Sequence, residues 1–212
     1  MAPAAITSVC FDWDGTLCDS GAAGRRAFRK SLAEFGIAFS DAEYKAVYTP
    51  RWRCMYEALG LPENSWQEAD RRWLHHYEEE APDLLDGAAD LLDTLRRRQI
   101  GLAIVSSGTR SRVIKELDRL GLRSAFQAVV CHEDVVRRKP DPEGLELAMA
   151  RMNAARTCCC YVGDTAGDMQ MGKSAGVLTV GVRTEYVDPR RLEECLPDAM
   201  LDCVAELPGI LW

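Results

Sequence analysis

The sequence has few of the features that mark membrane, nucleic-acid-binding or secreted proteins. Its 212 residues contain no uninterrupted apolar run near the ~18 residues that a membrane helix needs. Acidic residues outnumber basic ones, 33 to 26, and the formal net charge of −7 argues against a basic nucleic-acid-binding face. The first residues, MAPAAITSV, have neither the basic segment nor the apolar run of a signal peptide. We therefore expect a cytoplasmic protein with no nucleic-acid or membrane partner.

The nine cysteines show neither a zinc pattern nor a disulfide pattern. Their number is odd, no pair has CxxC spacing, and Cys158, Cys159 and Cys160 are consecutive within an apolar run. In a chain of this size without a secretion signal, this usage is typical of reduced thiols. We expect them to be buried, because free cysteine packs like a small apolar residue.

Short apolar segments alternate with helix-length segments through most of the chain. The predicted strands are Ile6–Phe11, Gly101–Val105, Ala128–Cys131, Thr157–Val162 and Leu178–Val182. The predicted helices are Ala88–Arg98, Ser111–Leu120, Pro142–Met152 and Asp168–Ala175. Because strands that alternate with helices form parallel sheets covered on both sides, we predict an α/β fold with a Rossmann-like sheet and helices on both faces.

The segment between residues 18 and 85 interrupts this alternation. It shows no convincing strand, and its helix-like stretches with aromatic and aliphatic stripes are separated by Gly36, Pro50, Gly60 and Pro62. We interpret 18–85 as a small all-helical domain inserted after the first strand. Residues 1–17 and 86–212 then form the core domain.

Polar residues follow the predicted strands, where ligand sites form in open α/β sheets. In chain order these residues are Asp12, Asp14 and Thr16, then Ser106, Ser107 and Gly108, then Lys139, and finally Asp164 and Asp168. Gathered carboxylates repel one another unless a cation neutralises them, and Mg²⁺ suits carboxylates together with a substrate phosphate. Hydroxyl groups, the amides that open a helix and a lysine ammonium can bind the phosphate itself. The pattern predicts metal-assisted phosphoryl chemistry.

Four motifs in this order resemble the haloacid-dehalogenase-like hydrolase superfamily, in its helical-cap, phosphoglycolate phosphatase-like branch. They are DWDGTLCDS at 12–20, IVSSGT at 104–109, KPDPEGL at 139–145 and YVGDTAGDMQMGKSAG at 161–176. The resemblance covers nearly the whole chain and is weakest in the predicted cap. It implies a Mg²⁺-dependent phosphatase that acts on a small phosphorylated metabolite.

The resemblance also implies a role for each motif residue. Asp12 is the expected nucleophile, which forms an aspartyl-phosphate, and Asp14 is the expected general acid and then base. The Asp12 carboxylate, the Asp14 backbone carbonyl and Asp164 would hold Mg²⁺. Ser106 and Lys139 would bind the phosphoryl group, and Asp168 would support a metal-bound water or orient Lys139.

Several alternatives stay open at this stage. A sugar phosphomutase would pass the phosphoryl group from Asp12 to a sugar, and a non-catalytic relative would serve as a binding or regulatory module. Arg51 and Arg53, in the predicted cap, are candidates for binding an anionic part of the substrate. We expect a monomer or homodimer.

Overall fold

A computed structural model describes residues 5–49, 52–185 and 187–212, and the chain divides into two compact units. One unit comprises Met1–Asp19 and Asp83–Trp212, and the other comprises Ser20–Pro82. Within the described ranges, no helix is both long enough and apolar enough to cross a membrane. The exact division into a core of 1–17 and 86–212 and a cap of 18–85 stays a prediction.

A six-stranded parallel sheet forms the centre of the larger unit, in the order β3-β2-β1-β4-β5-β6. The strands are β1 (Ser8–Phe11), β2 (Gly101–Val105), β3 (Ala128–Val130), β4 (Cys159–Gly163), β5 (Leu178–Val182) and β6 (Ala199–Leu201). The central strand β1 pairs with β2 and β4, and Val9 lies opposite Leu102 on one side and Cys160 on the other. The carboxyl ends of β1, β2 and β4 therefore meet at one edge of the sheet.

Helices cover both faces of this sheet. They are α5 (Ala88–Arg97), α6 (Arg110–Arg119), α7 (Glu143–Met152), α8 (Ala166–Ala175), α9 (Pro189–Glu193) and α10 (Pro208–Leu211). Successive strand residues point to opposite faces. Phe11 accordingly belongs to one apolar core with Leu92 of α5 and Leu117 of α6, whereas Cys10 belongs to a second core with Leu145 of α7. The predicted α/β architecture is confirmed.

The structure corrects several predicted boundaries. Strand β4 begins at Cys159 and not at Thr157, because Arg156–Cys158 form a 3₁₀ turn. Helix α8 begins at Ala166 and not at Asp168, because the Thr165 side chain caps the helix and accepts the Asp168 N–H. The other predicted ends of strands and helices in the larger unit differ from the observed ones by no more than two residues.

In the smaller unit, the described residues form four α-helices: α1 (Ser20–Ala33), α2 (Asp41–Val47), α3 (Trp52–Ala58) and α4 (Trp66–Glu80). A 3₁₀ turn, Glu63–Ser65, precedes α4. Its core is aromatic. Phe28 of α1 stacks on Tyr56 of α3, with ring centroids 5.4 Å apart. Tyr44 of α2 meets Phe28 edge-on, with ring centroids 5.7 Å apart. The unit therefore has an apolar core of its own.

All nine cysteines are free thiols, as predicted. The expectation that they are buried is wrong for part of the set. Cys54 is exposed, and Cys158, Cys195 and Cys203 are half-buried, because they lie in helices, turns and loops at the surface and not in the sheet.

Candidate active site

The end of β1 places two carboxylates at the carboxyl edge of the sheet. The Asp12 N–H donates to the Val162 carbonyl at 2.9 Å, which continues the β1–β4 hydrogen bonding into the first residue beyond the strand. The chain then turns at Gly15, whose φ is +77°. A Cβ atom on Gly15 would lie 2.5 Å from Asp164 Oδ2. Glycine is therefore required both by the backbone conformation and by the close approach of Asp164.

Asp12, Asp164 and Asp168 form a buried carboxylate cluster. One oxygen from each lies within 4.8 Å of the others, and the three residues are 6%, 5% and 1% exposed. Burial raises the pKa of Asp12 to about 7, although the Lys139 ammonium opposes the shift. Burial also raises the pKa of Asp164. Buried, oxygen-only donors with uncompensated negative charge fit a hard divalent cation such as Mg²⁺.

Lys139 bridges two of these carboxylates. Its Nζ lies 2.6 Å from Asp12 Oδ1 and 2.7 Å from Asp168 Oδ1. Burial opposes the charged form of Lys139, but the two carboxylates outweigh it and raise the pKa of the amine. Lys139 is therefore a fixed positive charge beside Asp12.

Asp168 has partners on both carboxylate oxygens. The Tyr161 hydroxyl donates to Oδ1 at 2.8 Å, and the Thr165 N–H and hydroxyl donate to Oδ2 at 3.0 and 2.5 Å. These donors and Lys139 outweigh burial and lower the pKa of Asp168. A Cβ atom on Gly163 would lie 2.5 Å from Asp168 Cβ, so glycine also permits this close packing. The arrangement suits a carboxylate that orients Lys139.

The residues after β2 differ in exposure and contacts. Ser106 is 5% exposed, its hydroxyl donates to Asp14 Oδ2 at 3.3 Å, and it accepts the Gly108 N–H at 2.9 Å. Ser107 is exposed. The Thr16 hydroxyl donates to Asp164 Oδ1 at 3.4 Å, so in this structure it supports a carboxylate, and its predicted contact with phosphate stays a prediction.

The sequence reasoning missed a buried ion pair at this edge. Arg112 of α6 contacts both Asp14 and Glu116, and Trp13 Nε1 donates to Glu116 Oε2 at 2.6 Å. The signal in the sequence was an arginine four residues before a glutamate on a helix. That spacing is common on exposed helix faces, so it does not by itself indicate a site.

Arg51 and Arg53 of the predicted cap are the remaining candidates for contacting the substrate. Arg51 lies outside the described residues. Arg53 belongs to the smaller unit, where its side chain is 61% exposed and lies 3.5 Å from Asp70. A role in substrate specificity stays a prediction for both.

Comparison with known proteins identifies the family. The model of the haloacid dehalogenase-like hydrolases matches residues 9–182. The pyrophosphatase PpaX of Listeria innocua is 29% identical over 212 residues, covering 97% of this chain and 96% of its own. A phosphoglycolate phosphatase of Synechococcus elongatus is 28% identical, with 95% of each chain covered.

The solved structures agree on the fold. The crystal structure of a predicted phosphoglycolate phosphatase from Haemophilus somnus superposes with a TM-score of 0.86 at 19% identity, covering 98% of both chains. The family model matches residues 9–182, which include the carboxylate cluster at the strand ends. The chain belongs to the haloacid dehalogenase-like hydrolase family.

Proposed function

We propose that this hydrolase is a Mg²⁺-dependent phosphatase that acts on a small phosphorylated metabolite through an aspartyl-phosphate on Asp12. One observation carries the proposal. Asp12 is a buried carboxylate at the end of the central strand, and the ammonium of the largely buried Lys139 lies 2.6 Å from it. Such a pair suits a nucleophile whose target, a phosphoryl group, is itself anionic.

Mg²⁺ would be held by the Asp12 carboxylate, the Asp14 backbone carbonyl and the Asp164 carboxylate, and it would supply charge neutralisation for the phosphoryl group. Lys139 adds a fixed positive charge at the same place, and Asp168 orients it. Ser106 and the amides of Ser107 and Gly108 are the further candidates for contacting the phosphoryl oxygens.

The reaction has two steps. An Asp12 oxygen attacks phosphorus, the bond from phosphorus to the leaving oxygen breaks, and Asp14 gives that oxygen its proton. Asp14 then takes a proton from water, the water oxygen attacks phosphorus, and the bond to Asp12 breaks to release phosphate. Asp14 is 33% exposed at its side chain, which allows it to reach both a leaving group and a water molecule.

The names of the relatives suggest where to look for the substrate. They include a pyrophosphatase and a phosphoglycolate phosphatase, so we propose a small anionic phosphate compound, with phosphoglycolate as the first ester to test. The cytoplasmic location and the monomeric or homodimeric state stay predictions.

The test is a phosphate-release screen with Mg²⁺ and with EDTA. The panel holds phosphoglycolate, sugar phosphates, nucleoside monophosphates and pyrophosphate. We expect Mg²⁺-dependent turnover of at least one compound and loss of turnover in Asp12→Asn. Asp93→Asn, which removes an exposed carboxylate on α5, is the matched control.

Two results would contradict the proposal. Turnover that survives in Asp12→Asn would exclude Asp12 as the nucleophile, and an absence of turnover across the panel would exclude the substrate class. Mass spectrometry of wild-type protein quenched during turnover provides a direct check, because the peptide that contains Asp12 should gain one phosphoryl group. Phosphorylation of Asp12 without phosphate release, dependent on a sugar bisphosphate, would favour the phosphomutase alternative.

A further inference from the structure

The side chain of Arg112 is largely buried and lies against Asp14. Its Nη1 donates to Asp14 Oδ1 at 2.8 Å and its Nη2 donates to Oδ2 at 2.6 Å, so one guanidinium contacts both oxygens of one carboxylate. The Arg112 side chain is only 10% exposed. Two parallel bonds of this kind define the plane of the carboxylate as well as its distance, which a single hydrogen bond does not.

Arg112 is itself held by a second carboxylate, that of Glu116. Its Nη1 also donates to the two oxygens of Glu116 at 3.1 and 3.2 Å, and Glu116, 8% exposed at its side chain, is fixed by the indole of Trp13. The guanidinium also depends on a glycine, because a Cβ atom on Gly108 would lie 2.2 Å from Arg112 Nη2. The side chains from Trp13 to Asp14 thus form a continuous chain of contacts through Glu116 and Arg112.

We propose that Arg112 is a positioning residue for proton transfer, which fixes the Asp14 carboxyl group where it meets the leaving group. This inference rests on the proposed function, in which Asp14 passes a proton to the departing oxygen. The two-bond pair with Arg112 holds the ionised form of Asp14, which is the form that takes a proton from water in the second step. In the first step Asp14 carries its proton on one oxygen, and Arg112 keeps its bond to the other. Arg112 would not touch the substrate. It would act through Asp14 alone, and Glu116 would act through Arg112.

The leaving group of the substrate separates this role from a merely structural one. An alkyl phosphate needs a proton as its alkoxide departs, whereas p-nitrophenolate is stable enough to depart without one. A misplaced proton donor therefore slows alkyl phosphates selectively, and displacement by ~1 Å can cost about 100-fold in rate. The ratio kcat/KM is the correct readout, because it includes only the steps up to departure of the leaving group and excludes the later hydrolysis of the aspartyl-phosphate.

The experiment measures kcat/KM for p-nitrophenyl phosphate and for phosphoglycolate, or for the alkyl phosphate that the screen shows to be the faster substrate. The main variant is Arg112→Lys, which keeps the positive charge but cannot make the two parallel bonds. Asp14→Asn is the reference. Arg110→Gln is the matched control, because Arg110 lies on the same helix and pairs with a different aspartate, Asp134.

We expect Asp14→Asn and Arg112→Lys to lower kcat/KM for the alkyl ester at least tenfold more than for the aryl ester. Arg110→Gln should change the ratio of the two substrates by less than twofold. If Arg112→Lys does not fold, as judged by circular dichroism, the paired variant Arg112→Gln/Glu116→Gln replaces it. This pair removes the Arg112 and Glu116 charges together, so that the only charge left without its partner is the Asp14 carboxylate, whose side chain is 33% exposed to solvent. The same selective loss is expected.

Three outcomes would overturn the inference. An equal loss on both esters would show a general structural effect, and a selective gain on the alkyl ester would show that Arg112 restrains Asp14. In the Asp14→Asn background, a further selective loss from Arg112→Lys would show that Arg112 acts independently of Asp14. Failure of the wild type to release phosphate from either ester would instead refute the proposed function.

Discussion

Replacing Lys139 with methionine should destabilise the fold in the absence of a divalent cation. The variant keeps most of the apolar side chain and removes only the ammonium group. That ammonium lies 2.6 Å from Asp12 and 2.7 Å from Asp168, and the Lys139 side chain is 12% exposed. Its loss would leave the buried carboxylates beside one another without their shared cation.

The magnitude follows from these distances. With an effective dielectric constant of about 20, Coulomb's law gives roughly 6 kcal/mol for each of the two contacts. Dehydration of the ions offsets much of this, at several kcal/mol per ion. Removal of one partner from a buried ion pair typically costs about 3–5 kcal/mol, because the opposite charge stays behind, and we expect a loss in that range for Lys139→Met.

The assay is urea unfolding at pH 7.5 in EDTA, followed by tryptophan fluorescence. The control is Lys173→Met, at an exposed position on α8, for which we expect a change within about 0.5 kcal/mol. The paired variant Lys139→Met/Asp168→Asn should recover part of the loss, because one of the remaining charges is removed. A loss below about 1 kcal/mol in Lys139→Met, or an equal loss in the control, would refute the electrostatic account.

Three further predictions concern stability. Mg²⁺ at 100 times its dissociation constant should raise the wild-type unfolding free energy by about 2.7 kcal/mol over EDTA in the same urea assay, and no change would argue against a metal site. Gly172→Ala should lower the melting temperature, because its Cβ would lie 2.6 Å from Thr179 Cγ2 and overpacking costs about 1–3 kcal/mol. A Cβ atom on Gly167 of the same helix would meet only atoms at 3.7 Å or beyond, so Gly167→Ala should raise the unfolding free energy by up to about 1 kcal/mol. A Gly172→Ala variant that is more stable than Gly167→Ala would contradict the packing argument. Burial opposes the charged form of Asp134, but a backbone N–H and two arginines outweigh it and lower the pKa of this carboxyl group. The stabilisation of the fold by ionised Asp134 is therefore present above about pH 4 and is lost as the pH falls through the pKa of the folded state. Asp134→Asn should therefore be less stable than wild type at pH 7, and denaturant titrations should show this difference narrowing below about pH 4.

Much of the core fold follows from local sequence patterns. Apolar strands such as GLAIV at 101–105 and LTVGV at 178–182 end where the sequence turns polar, and both occur as predicted. The rule that sites form beyond the carboxyl ends of parallel strands then brings together residues far apart in sequence, such as Asp12 and Lys139. This works because strand order and strand direction constrain position without any knowledge of side-chain rotamers.

What the sequence could not predict depends on those rotamers. The Thr16 hydroxyl turns to Asp164, and Arg112 turns inward to Asp14 although its spacing with Glu116 is typical of an exposed helix pair. The direction of α6 relative to the sheet decides whether this pair faces solvent or the strand ends. The apolar spacing of Val113 and Leu117 indicates which face of α6 is buried, but no pattern within 110–119 indicates that Arg112 meets Asp14.

The distribution of charge at the strand ends leads to a last prediction, about Asp164. Arg112 spans two acids and Lys139 spans two more, but among the described residues no cation lies within ion-pair distance of Asp164. The Thr16 hydroxyl donates to it at 3.4 Å, and burial raises its pKa. Asp164 is thus the carboxylate that most needs an added cation. In EDTA, Asp164→Asn should be at least as stable as wild type, the opposite of Lys139→Met, because it removes a buried charge that lacks a partner. With Mg²⁺ the same variant should lose the added stability that the wild type gains. If Mg²⁺ stabilises Asp164→Asn as strongly as the wild type in the urea assay, Asp164 does not bind the metal ion.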